Sequence, residues 1–145
     1  MSDRIAAFGT QLQIGDGATP TEGFTTIAGV RDINGPNMSA ETIDAKAHDS
    51  PGAWGEMIPS FLNAGEVTFD IAYDPAEPTH MDGAGGLRND FKNRTLRNFK
   101  LIYTDTGASE DAFSAYITAF GPSAPLADLL TASITLTLSG EPTLA

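Results

Sequence analysis

Two histidines, His48 and His80, stand near Asp44, Asp49 and Asp82, residue types that hold a metal when they converge. Neither HxxxH nor HxH spacing is present, and the absence of cysteine removes thiolate ligands and disulfides. Both histidines therefore read as surface-loop residues. Ser50 and Ser60 lie near His48 and Asp49, but no G-x-S-x-G turn is present to expose a nucleophile. Adjacent acids such as Glu110-Asp111 have the chemistry of a general acid–base pair, yet among 19 acidic residues such adjacency arises by chance. Gly15-Asp16-Gly17 and Gly83-Ala84-Gly85-Gly86 match no phosphate-binding pattern, and an Asp inside a phosphate cradle would repel its ligand. The reading is a chain with no catalytic, cofactor or metal site, and not an enzyme.

The elements must then carry the function. A length of 145 residues suits one domain over 1–145. Leu, Ile, Val and Phe number only 31, while Ala supplies 20, a thin provision for a core. Such a fold is expected to draw part of its stability from partners. No apolar run reaches the roughly 18 residues needed to span a bilayer, so no membrane association is expected. The N-terminus has neither the basic start nor the apolar stretch of a signal peptide, which points to folding in the cytoplasm. A net charge of -11 argues against tight non-specific DNA binding, which depends on Lys and Arg.

That charge is uneven. Five of the eight basic residues, Arg88, Lys92, Arg94, Arg97 and Lys100, fall within residues 88–100 with only Asp90 opposing them. This dipolar layout suits contact between copies, a basic helix region (Arg88, Lys92, Arg94, Arg97) against an acidic face. An ordinary solvated helix face fits it as well.

Frequent Gly and Pro punctuate short segments, the pattern of a mainly β protein. Strands are expected near residues 10–14, 24–33, 65–74, 98–104, 112–120 and 132–139. Across 65–74, Val67, Phe69, Ile71 and Tyr73 face one side and Glu66, Thr68, Asp70 and Asp74 the other, a half-buried strand with an acidic outer face. Residues 87–95 form the best helix, with Leu87 and Phe91 on one face and Arg88, Lys92 and Asn93 facing out. Between the second and third strands lies an irregular insertion, about 40–64. It holds Ile43, Trp54, Met57, Ile58, Phe61 and Leu62. Loops longer than about 12–15 residues are functional or disordered as a rule, and this one is too apolar for disorder. Its apolar groups require burial against its own domain or, as favoured here, a neighbouring subunit.

The order of these features resembles a known family. The insertion runs from Ile43-Asp44 to Pro59, with Ser50-Pro51 and Trp54-Gly55-Glu56-Met57-Ile58-Pro59. The strand after it closes in Asp74-Pro75, and the helix follows. The most telling part is C-terminal: Ala115-Tyr116-Ile117-Thr118-Ala119-Phe120, then Ala124-Pro125-Leu126, then residues 130–140 with Ile134, Leu136 and Leu138 alternating. Over nearly its whole length the chain resembles the major tail tube protein of long-tailed bacteriophages and of phage-derived gene transfer agents.

The resemblance implies a β-sandwich or barrel of two antiparallel sheets with one short flanking helix and a long inserted loop. It implies hexameric rings stacked as a hollow tube in the virion tail, assembled in the host bacterial cytoplasm. The loop, with Ile43, Asp44, Trp54, Met57, Ile58 and Phe61, would reach the next ring. The implied partners are further copies, tape-measure protein, tail-terminator and distal-tail or baseplate proteins, with double-stranded DNA passing through unbound. No immunoglobulin-like domain is expected after Thr143-Leu144. The acidic face of Glu66, Asp70 and Asp74 would line the lumen or meet a neighbour's basic helix, and the sequence leaves both open. Two other readings stand beside this one. One is an acidic β-sandwich that binds carbohydrate or protein through Trp54 with Tyr73 or Tyr103. The other is the tube protein of a contractile injection system.

Overall fold

Alternation of apolar and polar residues places one face of the long strands Glu66–Ala72 and Thr131–Leu138 inside. A computed structural model describes residues 4–145. In chain order the elements are β1 (Gln11–Gly15), β2 (Phe24–Thr26), β3 (Val30–Asn34), β4 (Ser39–Asp44), β5 (Met57–Asn63), β6 (Glu66–Ala72), α1 (Leu87–Asn93), β7 (Arg97–Ile102), β8 (Glu110–Ser123) and β9 (Thr131–Leu138).

Seven strands make one antiparallel sheet in the order β2-β1-β7-β8-β9-β6-β3, and β4-β5 make a second, two-stranded sheet. The two antiparallel sheets expected from the sequence are thus present but very unequal. The edge strands β2 and β3 are separated by only three residues of chain, so the large sheet must curl until its edges nearly meet. Residues 27–29 span that seam. The Ile27 N–H donates to Leu12 O at 2.9 Å and the Ala72 N–H to Gly29 O at 2.8 Å. Gly29, at φ 70°, takes the left-handed turn that a β-carbon disfavours. The single strand expected over 24–33 is therefore two strands at opposite edges.

Inside the curl lie Leu12, Ile14, Ile27, Val67, Phe69, Ile71, Phe99, Leu101, Phe113, Ile117, Ile134 and Leu136, all buried. Phe99 and Phe113, paired across β7 and β8, stack with ring centroids 5.8 Å apart. The outer face bears the polar partners in register: Glu66 opposite Thr137, Thr68 opposite Thr135, Asp70 opposite Ser133.

The helix stops two residues earlier than expected. Arg94 adopts φ 56° and its N–H returns to the carbonyls of Asp90 and Phe91, closing the last turn. Leu87 and Asp90 are its buried residues, whereas Phe91, expected on the inner face, is partly exposed.

Candidate assembly surfaces

The insertion over 40–64, read from the sequence as irregular, is a β-hairpin. Ile43 pairs with Ile58, Asp44 with Met57, Thr42 with Pro59 and Ala40 with Leu62. A bulge between Ala40 and Thr42 sets Ser60 and Phe61 opposite Glu41. At its root, Gly65 at φ 77° runs so close to the Asn37 carbonyl that a β-carbon would collide with it, and the Gly65 N–H donates to Asn63 Oδ1 at 2.8 Å. The tip carries a single 3-10 turn over Pro51–Ala53.

None of the large apolar groups of β4, β5 or the loop between them enters the barrel core. Trp54 and Phe61 are each 79% exposed and Leu62 82%, with Ile43, Met57 and Ile58 each more than half exposed. Water-exposed apolar surface on this scale in one element marks a contact site. Asp44 binds locally, accepting the Lys46 N–H at 2.9 Å and pairing with its ammonium at 3.3 Å.

The acidic row is only partly continuous. Glu66 and Asp70 stand on the outer face of β6, and the Ser133 hydroxyl donates to Asp70 at 2.7 Å. β6 ends at Ala72, so Asp74 leaves the row and turns the chain, its carboxylate accepting the Ala76 N–H at 2.9 Å. Around Glu66 and Asp70 the surface is largely hydroxyl: Thr118, Thr137, Thr135 and Ser133, with the Thr118 and Thr137 oxygens 3.0 Å apart.

The basic cluster is mostly engaged inside the subunit. Arg97 lies on β7 rather than the helix and is only 18% exposed. It pairs with Asp90 at 3.2 Å and donates to Gly15 O from Nε at 3.0 Å and Nη2 at 2.8 Å. Burial pushes the Asp90 carboxyl up, against the opposing pull of Arg97. Lys92 pairs with Asp82 and Lys100 with Glu110. Arg88 donates to the Tyr73 hydroxyl at 3.0 Å and lies over the Phe120 ring. Among the described residues, Arg94 alone of the five has neither an ion pair nor a side-chain hydrogen bond.

His80 corrects the surface-loop expectation. It is 1% exposed, with Nε2 2.5 Å from Ala28 O and Nδ1 accepting the Asp74 N–H at 3.3 Å. Those contacts fix it as the Nε2–H tautomer. Thr79 Oγ1 accepts the Ala28 N–H, so residues 79–80 hold the seam of the barrel from both polar groups of Ala28. His48 is exposed in the hairpin loop, as read. Among the described residues no three metal-ligating side chains gather, and no helix is long and apolar enough to cross a membrane.

A C-terminal strap was not foreseen. Thr143 bridges Ala112, and buried Asp111 accepts the Ala145 N–H at 2.8 Å and the Tyr103 hydroxyl at 2.5 Å. Burial, then the bond to Asp111, pushes the Tyr103 phenol up to about 12. Tyr103 is thus occupied, and Tyr73 packs between His80 and Phe120. Neither makes an aromatic pair with Trp54 among the described residues, which removes the aromatic platform of the binding-module reading.

A curled barrel with a closed core and one uncovered apolar hairpin is the build of a structural subunit. The chain belongs to the lambda phage tail tube protein family, whose model matches residues 13–145. No curated protein matches the chain in sequence.

Solved structures share the fold. A chain in the tail of an empty gene transfer agent particle, solved by helical refinement with C6 symmetry, aligns with TM-score 0.70 at 19% identity, covering 92% of this chain and 95% of that one. A chain from the sheath/tube terminator structure of a PVC extracellular contractile injection system aligns with TM-score 0.72 at 14% identity over 100% and 99%. The SPP1 tail tube aligns with TM-score 0.67 at 11% identity, covering 98% and 80%.

Proposed function

We propose that this tail tube protein assembles into hexameric rings that stack as the hollow tube of a phage-type tail, made in a bacterial cytoplasm and acting as a DNA conduit. The observation that carries this reading is the β4-β5 hairpin, whose large apolar side chains lie in water on the isolated subunit. Burying them against other copies stabilises the folded state by mass action. The fold likeness to a gene transfer agent tail solved with C6 symmetry supports six-membered rings. Likeness to chains in tube terminator and cap structures supports partners at the tube ends, and a tape-measure protein is the proposed occupant of the lumen before DNA.

Ring stacking is assigned to Ile43, Trp54, Met57, Ile58 and Phe61, with Asp44 at the end of β4. Glu66 and Asp70 are assigned to the lumen. The internal pairing of Lys92, Arg97 and Lys100 supports this over contact with a neighbour's basic helix. Phosphate repulsion, acting within about 8–10 Å at physiological salt, keeps passing DNA from adhering. Changing Glu66 and Asp70 together to Lys is expected to leave tubes intact and slow DNA delivery by the particle. Loss of ring assembly would reassign the row to a subunit contact. Because contractile injection tubes share the fold, sheath in micrographs of native particles decides between the two tail types.

A further inference from the structure

We infer that the hairpin is clasped on both faces, each by a different copy of this chain. The inference rests on the tube reading and adds how the hairpin is held.

A two-stranded sheet has two faces, and here both are apolar. Ala40, Thr42 and Asp44 share one face with their partners Leu62, Pro59 and Met57, while Ile43 and Ile58 pair on the other. Leu62 and Met57 are 82% and 57% exposed, Ile43 and Ile58 54% and 53%. The subunit's own barrel buries neither pair: none of the four belongs to the core or packs against it. An isolated two-stranded hairpin is marginal in water, and a partner on one face alone would leave the other apolar pair solvated. A hairpin patterned for a single cover would alternate apolar and polar, as β6 does. This one does not.

Charge favours copies of the chain as the occupants. The hairpin bears Glu41, Asp44, Asp49 and Glu56 against Lys46, which is itself bound to Asp44. Arg4, Arg31 and Arg94 are exposed and, among the described residues, make no ion pair or side-chain hydrogen bond. Each copy therefore offers free cations to a neighbour's acidic hairpin, a heterologous contact of the kind that propagates assemblies.

The chain has no cysteine, so single thiols can be placed at will. Glu41 and Thr42 are adjacent and point to opposite faces. Glu41→Cys and Thr42→Cys, each labelled with benzophenone-maleimide, are doped at a few per cent into unmodified protein so that assembly does not depend on the variants. Irradiation of assembled tubes is expected to give two-copy adducts from each single variant, with different captured peptides, and three-copy adducts from the doubly labelled chain. If tubes form but one probe captures nothing, or both capture the same peptide, the two-sided clasp is overturned and the tube reading stands. If unmodified protein forms no tubes and stays monomeric by sedimentation, the tube reading falls and the clasp with it.

Discussion

The barrel and the hairpin obey opposite rules. In the barrel the long strands alternate over their buried stretches, the apolar face closes on a shared interior, and buried polar groups such as His80 and Asp111 find hydrogen-bond partners. In the hairpin apolar groups occupy both faces, and none is covered by the subunit. Stability of the monomer therefore resides in the first region and association in the second. Substitutions should separate the two cleanly.

The largest expected effect on folding is at Phe99. It is fully buried and stacked on Phe113, so Phe99→Ala should destabilise the monomer by about 3–5 kcal/mol in urea denaturation. Trp54→Ala, in the hairpin, should shift that curve by no more than about 0.5 kcal/mol while reducing tube elongation. A large loss of monomer stability from Trp54→Ala would erase the distinction.

Next is the buried pair at the helix. Arg97→Ala strands the Asp90 carboxylate and frees Gly15 O, at a cost of about 3 kcal/mol near neutral pH. Burial already raises the Asp90 carboxyl above its ordinary range, so the folded state holds that proton more tightly than the unfolded chain. Its contribution is fully present below the ordinary carboxylate pKa and falls as pH rises through the elevated one. Removing Arg97 should steepen that fall, read as melting temperature between pH 4 and 7, and Asp90→Asn in the same background should flatten it. A profile unchanged by Arg97→Ala would remove the pair from the account.

A smaller effect belongs to the strap. Tyr103→Phe deletes a hydrogen bond to a buried carboxylate, worth about 1.5–3 kcal/mol, while the Ala145 N–H stays on the other carboxylate oxygen. With the phenol raised to about 12, its stabilising contribution is lost as pH climbs from the ordinary value of about 10 through the folded one. Alkaline unfolding of the Phe variant should lack that step.

The same contrast explains what the sequence disclosed. Val67, Phe69 and Ile71, and later Ile134, Leu136 and Leu138, show period-two alternation and so revealed their strands and inner face. β4 and β5 escaped because apolar residues on both faces cancel that period, and Pro59 with the bulge at Ser60-Phe61 disguises the rest. The break at Gly29 was hidden in a run that reads as one strand, since only closure of the barrel demands it. Arg97 looked like a free cation because Asp90, its partner, reaches it through the turn after α1. His80 looked exposed for a different reason: its partner, Ala28, is distant in sequence. The apolar content of the insertion was plain from the start, whereas which surface covers it depends on copies of the chain that one sequence does not describe.

The most direct test compares negative-stain images of purified protein with those of the Trp54→Ala, Met57→Ala, Ile58→Ala and Phe61→Ala combination at equal concentration. The account predicts stacked-ring tubes from the first, and from the second a folded protein with unchanged circular dichroism and no tubes. Tubes of normal length from the combined variant, or strictly monomeric unmodified protein at high concentration, would contradict it.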